Sequence, residues 1–412
     1  MSFLSPDKIQ AAKIDTMPIF DIDTHWAEPV DLWTSRAPEK YKDRVFHVQT
    51  KADGTEAWFV NGIEVGMIGP SVVRKDMSKQ FYTFTLPTMD DMCEASTDAE
   101  ARVAYMDSVG VGAQIVYPNV IGFGSQKLMK VGEDVELRNW HVRTYNDALV
   151  ELQAAGKGRL LPQAALPLWD LEASMAELER IRKNGLTGIA MSNKPGDFGQ
   201  KPLTHPDWDR FFSICQDLEL PINFHIGSGD FEGEKDKWWL PERATRLPDG
   251  TLNGPLSIFT AVNNFIQMGT DIMNLVLSGM LEKYPRLKFV IVESGAAWLP
   301  FLVQGMNHNW KEMMTPKDMA KFKREPKQMF VEQIYCSYWF EDSNCIDHYI
   351  REFGSSNLLF ETDFPHPTSL YPEVRAKAVE TLGHYGEDVQ RDVLYRNAER
   401  LYGVPVSGLG SR

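Results

Sequence analysis

Residues 19–25 read IFDIDTH, and the interpretation of the whole sequence starts from this stretch. Its apolar start is typical of a buried strand. Because side chains alternate along a strand, Asp23 and His25 project from the same face and can hold one ion. An isolated D-x-H motif is weak evidence, since most such motifs are hydrogen-bonded strand ends. The other strands of the chain therefore decide between the two interpretations.

Eight short apolar runs in the chain read as buried parallel strands, because each is continuous and is followed by a helical pattern. Amphipathic stretches such as Leu171–Lys183 and Trp208–Leu218 lie between them. Eight βα units in this order predict an α/β fold, a closed (β/α)₈ TIM barrel, with residues 1–412 as a single domain. A doubly wound open sheet is the main alternative, but its G-x-G-x-x-G fingerprint after the first strand is absent. The predicted strands are Ile19–Asp23, Gln114–Tyr117, Leu161–Leu166, Gly188–Ser192, Ile222–His225, Phe289–Glu293, Gln333–Ser337 and Leu358–Asp363.

Two insertions enlarge the predicted barrel. The first, residues of about 40–97 after strand one, contains a hairpin of Ala57–Val60 and Ile63–Met67 joined by Asn61-Gly62, a pair that favours a type I′ turn. We expect it to lie over the barrel mouth. The second, Gly227–Pro255 after strand five, carries Trp238 and Trp239 and is long enough to be a lid or an oligomer contact.

Composition excludes several classes of partner. The 412 residues are 43% hydrophobic and carry a formal charge of −14, so nucleic acid and anionic membranes would be repelled and a small-molecule substrate is expected. No apolar stretch is long enough to span a membrane, and the N-terminus lacks the pattern of a signal peptide, which predicts a cytoplasmic protein. The four cysteines form no CxxC pair, so neither a disulfide framework nor a thiolate zinc site is indicated.

Two further strand ends carry metal-binding side chains. Strand five ends at His225 and strand eight at Asp363. Alone, His225 could be a core histidine and Asp363 a helix cap. The carboxyl ends of barrel strands converge on one rim, however, so Asp23, His25, His225 and Asp363 together predict a site for one divalent cation. Zinc suits this donor set best, with manganese or magnesium as alternatives.

Hydrolysis is the first reading of such a site. A divalent cation lowers the pKa of bound water, and Asp363 would take the proton as general base during attack on a small aromatic or cyclic carbonyl or carboxylate substrate. Glu293 would orient water or act as a second acid or base, although it could also be a structural carboxylate. His366, just after Asp363, could shuttle protons.

Non-oxidative decarboxylation is the alternative within enzymes. The substrate would be an aromatic or muconate-type acid, and for an aromatic acid a carboxyl group with a raised pKa would protonate the ring carbon while CO₂ leaves. Arg74 could bind a substrate carboxylate, or be only a solvated loop cation. Trp26, Tyr117 and Trp298 lie near strand ends, where they could stack on a flat substrate or merely fill the core. A barrel that binds a ligand without turnover is a third hypothesis, from outside the enzymes.

Five segments occur along the chain in this order: DIDTHWAEPVDLW, PLTHPDWDRFF leading to INFHIG, KFVIVESGAAWLP, LLFETDFPHP and YRNAERLYG. Together they resemble the amidohydrolase superfamily, in the amidohydrolase-related branch that holds aminocarboxymuconate semialdehyde decarboxylase and the hydroxybenzoate decarboxylases. The resemblance covers nearly the whole chain. It implies a metal-dependent barrel enzyme that forms homodimers or higher homo-oligomers.

The resemblance also implies a ligand set. Asp23 and His25 from strand one, with His225 and Asp363, would bind the metal and leave a position open to water or a substrate oxygen. Decarboxylases of this branch have a histidine at the end of strand six, where this sequence has Glu293. That departure argues against a binuclear centre.

Overall fold

The computed structural model describes residues 14, 16–229 and 253–406. The strands of this part of the chain are β1 (Ile19–His25), β2 (His47–Thr50), β3 (Glu56–Val60), β4 (Ile63–Met67), β5 (Val111–Tyr117), β6 (Leu160–Pro162), β7 (Ile189–Ala190), β8 (Ile222–His225), β9 (Phe289–Val292), β10 (Ile334–Tyr338) and β11 (Leu358–Phe360).

The α-helices of the same residues are α1 (Ala99–Val109), α2 (Val135–Ala155), α3 (Leu171–Lys183), α4 (Asp209–Asp217), α5 (Gly254–Leu277), α6 (Met280–Lys283), α7 (Leu299–Met313), α8 (Pro316–Met319), α9 (Pro326–Gln333), α10 (Ser343–Phe353), α11 (Val374–Leu382), α12 (Glu387–Arg391) and α13 (Asn397–Tyr402). Aspartates begin several of them, since the side chains of Asp98, Asp134, Asp170 and Asp342 accept hydrogen bonds from the first turns of α1, α2, α3 and α10.

Eight parallel strands form a closed ring. One arc runs β1-β5-β6 and the other β7-β8-β9-β10-β11. Parallel bridges between Ala164 and Ile189 and between Thr24 and Phe364 join the two arcs. The chain is therefore the predicted TIM barrel, and the carboxyl ends of β1 and β11 are neighbours.

All eight predicted strands are present, with boundaries shifted by a few residues. Those of β6, β7 and β11 are shorter than predicted, because their last residues leave the sheet and turn into the loops at the rim. The predicted helix Leu171–Lys183 is observed as such, and Trp208–Leu218 is observed as Asp209–Asp217.

The first insertion folds as a small antiparallel sheet, β2-β3-β4. Asn61 and Gly62 join β3 to β4 with φ values of 50° and 74°, the left-handed pair that a type I′ turn requires, so the predicted hairpin is confirmed. Strand β2 adds to its edge and was not predicted. Most of the second predicted insertion lies outside the described residues, and α5 begins at Gly254, within its predicted end.

Among the described helices, none combines the length and the apolar character needed to cross a bilayer.

A clasp ties the start of the barrel to α11. The guanidinium of Arg375 donates to the backbone carbonyls of Ile14, Met17, Val109 and Gly110. Gly110 ends α1 with φ 71°, and a Cβ added there would overlap the Arg375 guanidinium. Glycine at position 110 is thus required both by the backbone conformation and by the packing of Arg375.

Gly110→Ala should therefore destabilise the protein more than an alanine substitution at a glycine that has a similar positive φ but no neighbouring side chain. Gly54 supplies the matched control, since its φ is 84° but no atom lies within 4 Å of an added Cβ. We expect Gly54→Ala to lower the free energy of unfolding by about 1 kcal/mol and Gly110→Ala by roughly 2 kcal/mol or more. Equilibrium urea unfolding measures both, and equal losses would contradict the clasp.

Candidate active site and metal centre

The carboxyl end of the barrel gathers the predicted ligands. Asp23 and His25 end β1, His225 ends β8, and Asp363 follows β11 by three residues. Glu293 comes directly after β9. All five are buried, and their side chains point to a common region above the strands. The barrel thus brings together donors that are up to 340 positions apart in sequence, as the separation of Asp23 and Asp363 illustrates.

Three donor atoms form a tight triangle. The distance from Asp23 Oδ1 to His25 Nε2 is 3.4 Å, that from Asp23 Oδ1 to His225 Nε2 is 3.4 Å, and the two imidazole Nε2 atoms are 3.2 Å apart. Ligands about 2.1 Å from a Zn²⁺ ion lie roughly 3.4 Å from one another in a tetrahedron. The triangle therefore has the size of one face of a metal coordination sphere.

The protonation of these groups also fits a cation. His225 Nδ1 is 2.7 Å from the carbonyl oxygen of Ile226, which fixes the proton on Nδ1 and leaves a lone pair on Nε2. Burial, and then the nearby imidazoles of His366 and His225, lower the pKa of His25 well below its usual value, so this ring is neutral as well. Within the described residues, neither carboxylate oxygen of Asp23 has a hydrogen-bond partner. A buried carboxylate without a partner, beside two imidazoles, is a donor set that a cation would satisfy.

Two further carboxylates lie within reach of the triangle. Glu293 Oε2 is 3.6 Å from His225 Nε2, and Asp363 Oδ1 is 3.5 Å from His25 Nε2. Burial and the negative charges of Asp363, Asp23 and Glu361 raise the pKa of Glu293 well above its usual value. A bound divalent cation would offset this crowding of negative charge. The site thus fits one metal held by Asp23, His25, His225 and Glu293, whose donor atoms all lie within 4.8 Å of one another. The predicted ligand Asp363 instead groups with His25 and His366.

Asp363 is paired with a histidine. Its Oδ1 is 2.9 Å from His366 Nδ1, and its Oδ2 accepts a hydrogen bond from Thr368 Oγ1. His366 Nε2 is 3.1 Å from Asn119 Oδ1, and the amide of Asn119 is oriented by its donation to the carbonyl of Trp26. The Nε2 of His366 is therefore the donor to Asn119, which leaves Nδ1 facing the carboxylate of Asp363.

The rings of His366 and His25 are stacked with centroids 3.6 Å apart, so the Asp363–His366 pair lies directly against the metal triangle. Asp363 and Glu293 also have left-handed backbones, with φ values of 59° and 55°. Non-glycine residues in this region are rare and concentrate at functional sites, because the strain must be held by surrounding contacts.

A buried network holds β1 against β11. Asp21 accepts hydrogen bonds from the Thr362 amide and hydroxyl and from Gln114 Nε2. Arg102 donates to the His25 carbonyl at 2.5 Å and to Gln114 Oε1 at 3.3 Å. These contacts fix the backbone on both sides of the metal triangle, and none of Asp21, Gln114 and Arg102 was predicted.

Glu28 anchors the loop after β5. Its carboxylate accepts hydrogen bonds from the backbone amides of Asn119 and Val120 and from the hydroxyl of Tyr145. Burial raises its pKa from 4.5 to about 7, which these three hydrogen bonds partly oppose. The loop so fixed carries both Asn119, the partner of His366, and Phe123.

A cavity of about 340 Å³ opens above the site, within the range of small-molecule pockets. His366 and Glu293 lie at its floor. Its walls come from the first insertion, the loop after β5, the start of the loop after β8, helix α5 and the loop after β11. The side chains that give it its largely apolar character include those of Met67, Pro70, Phe84, Phe123, Ile226, Ala261, Phe265 and Pro367.

The predicted substrate-binding residues lie elsewhere. Arg74 is exposed and donates two hydrogen bonds to Gln80 Oε1, so it does not line the cavity. The indole of Trp26 is buried and bonded to the Thr97 carbonyl, and that of Trp298 is bonded to the Ser294 carbonyl. None of these three side chains lines the cavity formed by the described residues, and each polar group is bonded to a neighbour in its own loop or in an adjacent one. Their roles in substrate binding therefore stay predictions.

Tyr117 does not line the described cavity either, so its role as a substrate contact also stays a prediction. Its ring packs edge-on against His225 with centroids 5.0 Å apart, but its hydroxyl donates to Asn223 Oδ1 inside the barrel. Phe123 takes the place expected for an aromatic wall, with its centroid 4.1 Å from that of His225 and 4.9 Å from that of His25. A conformation of the loop after β5 that no sequence pattern specifies brings it there.

The fold and the site define a metal-dependent TIM-barrel enzyme, and comparison with known proteins specifies it further. Residues 21–404 match the family described as Amidohydrolase. The chain belongs to this family, and the predicted resemblance to its decarboxylase-containing branch is confirmed.

Among curated proteins, the chain is 28% identical over 277 residues to gamma-resorcylate decarboxylase of a Rhizobium species, covering 65% of this chain and 76% of that one. Among solved structures, an amidohydrolase from Mycobacterium avium subsp. paratuberculosis aligns with a TM-score of 0.72 and 17% identity, covering 94% of this chain and 99% of that one. A dihydroxybenzoic acid decarboxylase from a Polaromonas species, with bound manganese and the inhibitor 2-nitroresorcinol, aligns with a TM-score of 0.57 and 19% identity over 94% and 97% of the two chains.

These findings confirm the prediction of an enzyme and the barrel fold. The curated relative described above is a decarboxylase rather than a hydrolase. The alternative prediction, decarboxylation, is therefore better supported than the first prediction, hydrolysis. Neither zinc as the metal, nor a homodimer, nor a cytoplasmic location is tested by them, and these stay predictions.

Removal of one imidazole from the triangle should abolish metal binding. We expect about one divalent ion per chain in the purified protein and less than a tenth of that in His225→Gln, because the remaining donors cannot close the coordination sphere. The exposed His348→Gln is the matched control and should keep its metal. Elemental analysis after dialysis gives the content, and a full complement in His225→Gln would contradict the assignment.

Glu28 should make stability depend on pH. Its folded pKa of about 7 lies above the usual 4.5, so the folded state holds this proton more tightly and stability is lost as pH rises from 4.5 through 7. Between pH 5 and pH 8, Glu28→Gln should gain roughly 2 to 3 kcal/mol relative to wild type. Urea unfolding across this range measures the difference, with the exposed Glu39→Gln as control. A difference that does not vary with pH would show that Glu28 titrates normally.

Proposed function

We propose that the protein is a metal-dependent, non-oxidative decarboxylase of small hydroxylated aromatic acids. The observation that carries the proposal is the Asp363–His366 pair, which lies beside the metal triangle at the floor of a largely apolar cavity. This arrangement offers a buried proton donor next to a site for oxyanions. The names of the curated relatives support the same reaction.

The cavity fits a flat one-ring acid. Phe123 and Phe265 offer aromatic faces for the ring, and the other lining residues are mainly apolar. Aromatic packing of this kind excludes water, which strengthens the electrostatic interactions at the floor. The acid would enter with its carboxylate and an ortho oxygen towards Asp23, His25 and His225.

These residues would hold the divalent metal. When bound, the ion supplies positive charge that neutralises the substrate oxyanions and orients the acid. We propose zinc or manganese: two imidazoles suit zinc, while the three carboxylates of Asp23, Glu293 and Asp363 also suit manganese.

Asp363 and His366 deliver the proton. Asp363, protonated through His366, gives its proton to the ring carbon that bears the carboxylate. The bond between that carbon and the carboxylate then breaks, its electron pair restores the aromatic ring, and CO₂ leaves. Thr368 and Asn119 hold the pair in place, and Glu293 confines the carboxylate end of the substrate.

The proposal is tested by CO₂ release from 2,6-dihydroxybenzoate and 2-hydroxybenzoate with manganese- or zinc-loaded protein. Asp363→Asn should lose at least about 10³-fold in kcat, because a carboxamide cannot donate the proton, and His366→Gln about 10²-fold. Arg74→Gln is the control and should keep wild-type turnover, since Arg74 does not line the cavity.

Metal content must be measured on each variant, so that a lost ion is not mistaken for a lost proton donor. Full turnover in metal-replete Asp363→Asn would exclude the proposed acid. Hydrolysis of aromatic esters or amides without CO₂ release from either acid would contradict decarboxylation and support a hydrolase instead.

A further inference from the structure

A positive charge lies in the wall of the cavity without an anion beside it. Lys127 lines the cavity on the short helical turn Gln126–Val131, which follows β5. Among the hydrogen bonds and ion pairs of the described part of the chain, none involves its ammonium. The remaining described wall is apolar or neutral apart from Glu293 and His366 at the floor.

The neighbouring insertion is shaped around this ammonium. A Cβ added at Gly66 in β4 would lie 2.8 Å from Lys127 Nζ, so the amine occupies the space that any larger residue would fill. The amine therefore lies close against the backbone of the insertion.

The charges that act on Lys127 differ from those at the floor. The acidic group that favours its charged form is Glu28, whose carboxylate is already engaged by two backbone amides and Tyr145. Burial lowers the pKa of Lys127 to about 8, so the amine is still largely protonated at neutral pH. A partly desolvated ammonium of this kind gains from an anion brought by a ligand.

We propose that the substrate carries a second carboxylate, and that Lys127 binds it in the cavity wall while the first carboxylate lies at the metal cluster. This inference rests on the proposed function and narrows its substrate class to one-ring aromatic dicarboxylates. The two anions would fix the ring at both ends, so that only one of its carboxylates faces Asp363.

Binding of two unreactive probes tests the inference without turnover. Isothermal titration calorimetry with manganese-loaded protein compares benzene-1,3-dicarboxylate with benzoate. Wild type should bind the dicarboxylate at least about tenfold more tightly, as expected for one charge-assisted hydrogen bond. Lys127→Met should reduce this ratio to about threefold or less with benzoate binding unchanged, and Lys127→Arg should keep most of it.

Lys130→Met is the matched control, because it removes an exposed charge from the same helical turn and should leave the ratio intact. Metal content and the thermal midpoint of each variant show whether it is folded. An unchanged ratio in a folded Lys127→Met protein would overturn the inference and leave Lys127 as a counter-charge to Glu28. Equal wild-type affinity for the two probes would overturn it too.

Turnover separates this inference from the proposed function. If a Lys127-dependent preference is found but neither a hydroxybenzoate nor 4-hydroxybenzene-1,3-dicarboxylate releases CO₂, decarboxylation fails while the anion site stands. If CO₂ is released with equal kcat/KM from both types of acid, decarboxylation stands and the second anion site fails.

Discussion

The site depends on keeping a buried carboxylate without hydrogen-bond partners close to two imidazoles. Asp23 Oδ1, His25 Nε2 and His225 Nε2 lie within 3.4 Å of one another, and neither oxygen of Asp23 has a partner among the described residues. Burial of such a carboxylate is unfavourable without a cation, so the protein must hold the group together by other means until an ion binds. The barrel does this by attaching each donor to a different strand whose position is set by the closed sheet.

The contacts around the triangle show how this rigidity is achieved. Asp21 joins the backbone of β1 to that of Thr362, and Arg102 holds the carbonyl of His25. Asp363 and Glu293, at the same rim of the barrel, both have a strained, left-handed backbone. The packing of the helices and the core therefore offsets the unfavourable free energy of the ligand cluster. This is expected where a site is formed before its ligand binds.

The sequence predicted those parts of the protein that depend on periodic patterns. Apolar runs predicted all eight barrel strands. The strand ends predicted the positions of Asp23, His25, His225 and Asp363, because the carboxyl ends of all strands of a barrel lie at the same rim. The Asn61-Gly62 turn was predictable for a similar reason, since few residue pairs adopt its backbone. The assignment of Glu293 was partial: its position at the site was predicted, but not its place 3.6 Å from a ligand imidazole.

The residues that line the cavity were not predictable in the same way. Phe123 and Lys127 stand on a loop with no regular pattern, and its conformation depends on Glu28, which reaches it from the loop after β1. Arg74, Trp26 and Trp298 do not line the described cavity, because nearness to a strand end in sequence does not determine which hydrogen-bond partner a side chain finds.

The strands and the loops of the barrel contribute different parts of the site. The strand ends fix a donor set that any substrate oxyanion can use, so they determine the chemistry. The cavity above them is assembled from loops and α5, and its one described lysine, Lys127, lies against Gly66 of the insertion hairpin rather than on a barrel strand. Changes in the insertion hairpin can therefore alter the surroundings of this charge without disturbing the metal triangle. A barrel of this kind can accordingly change which ligand it accepts while keeping the groups at its strand ends.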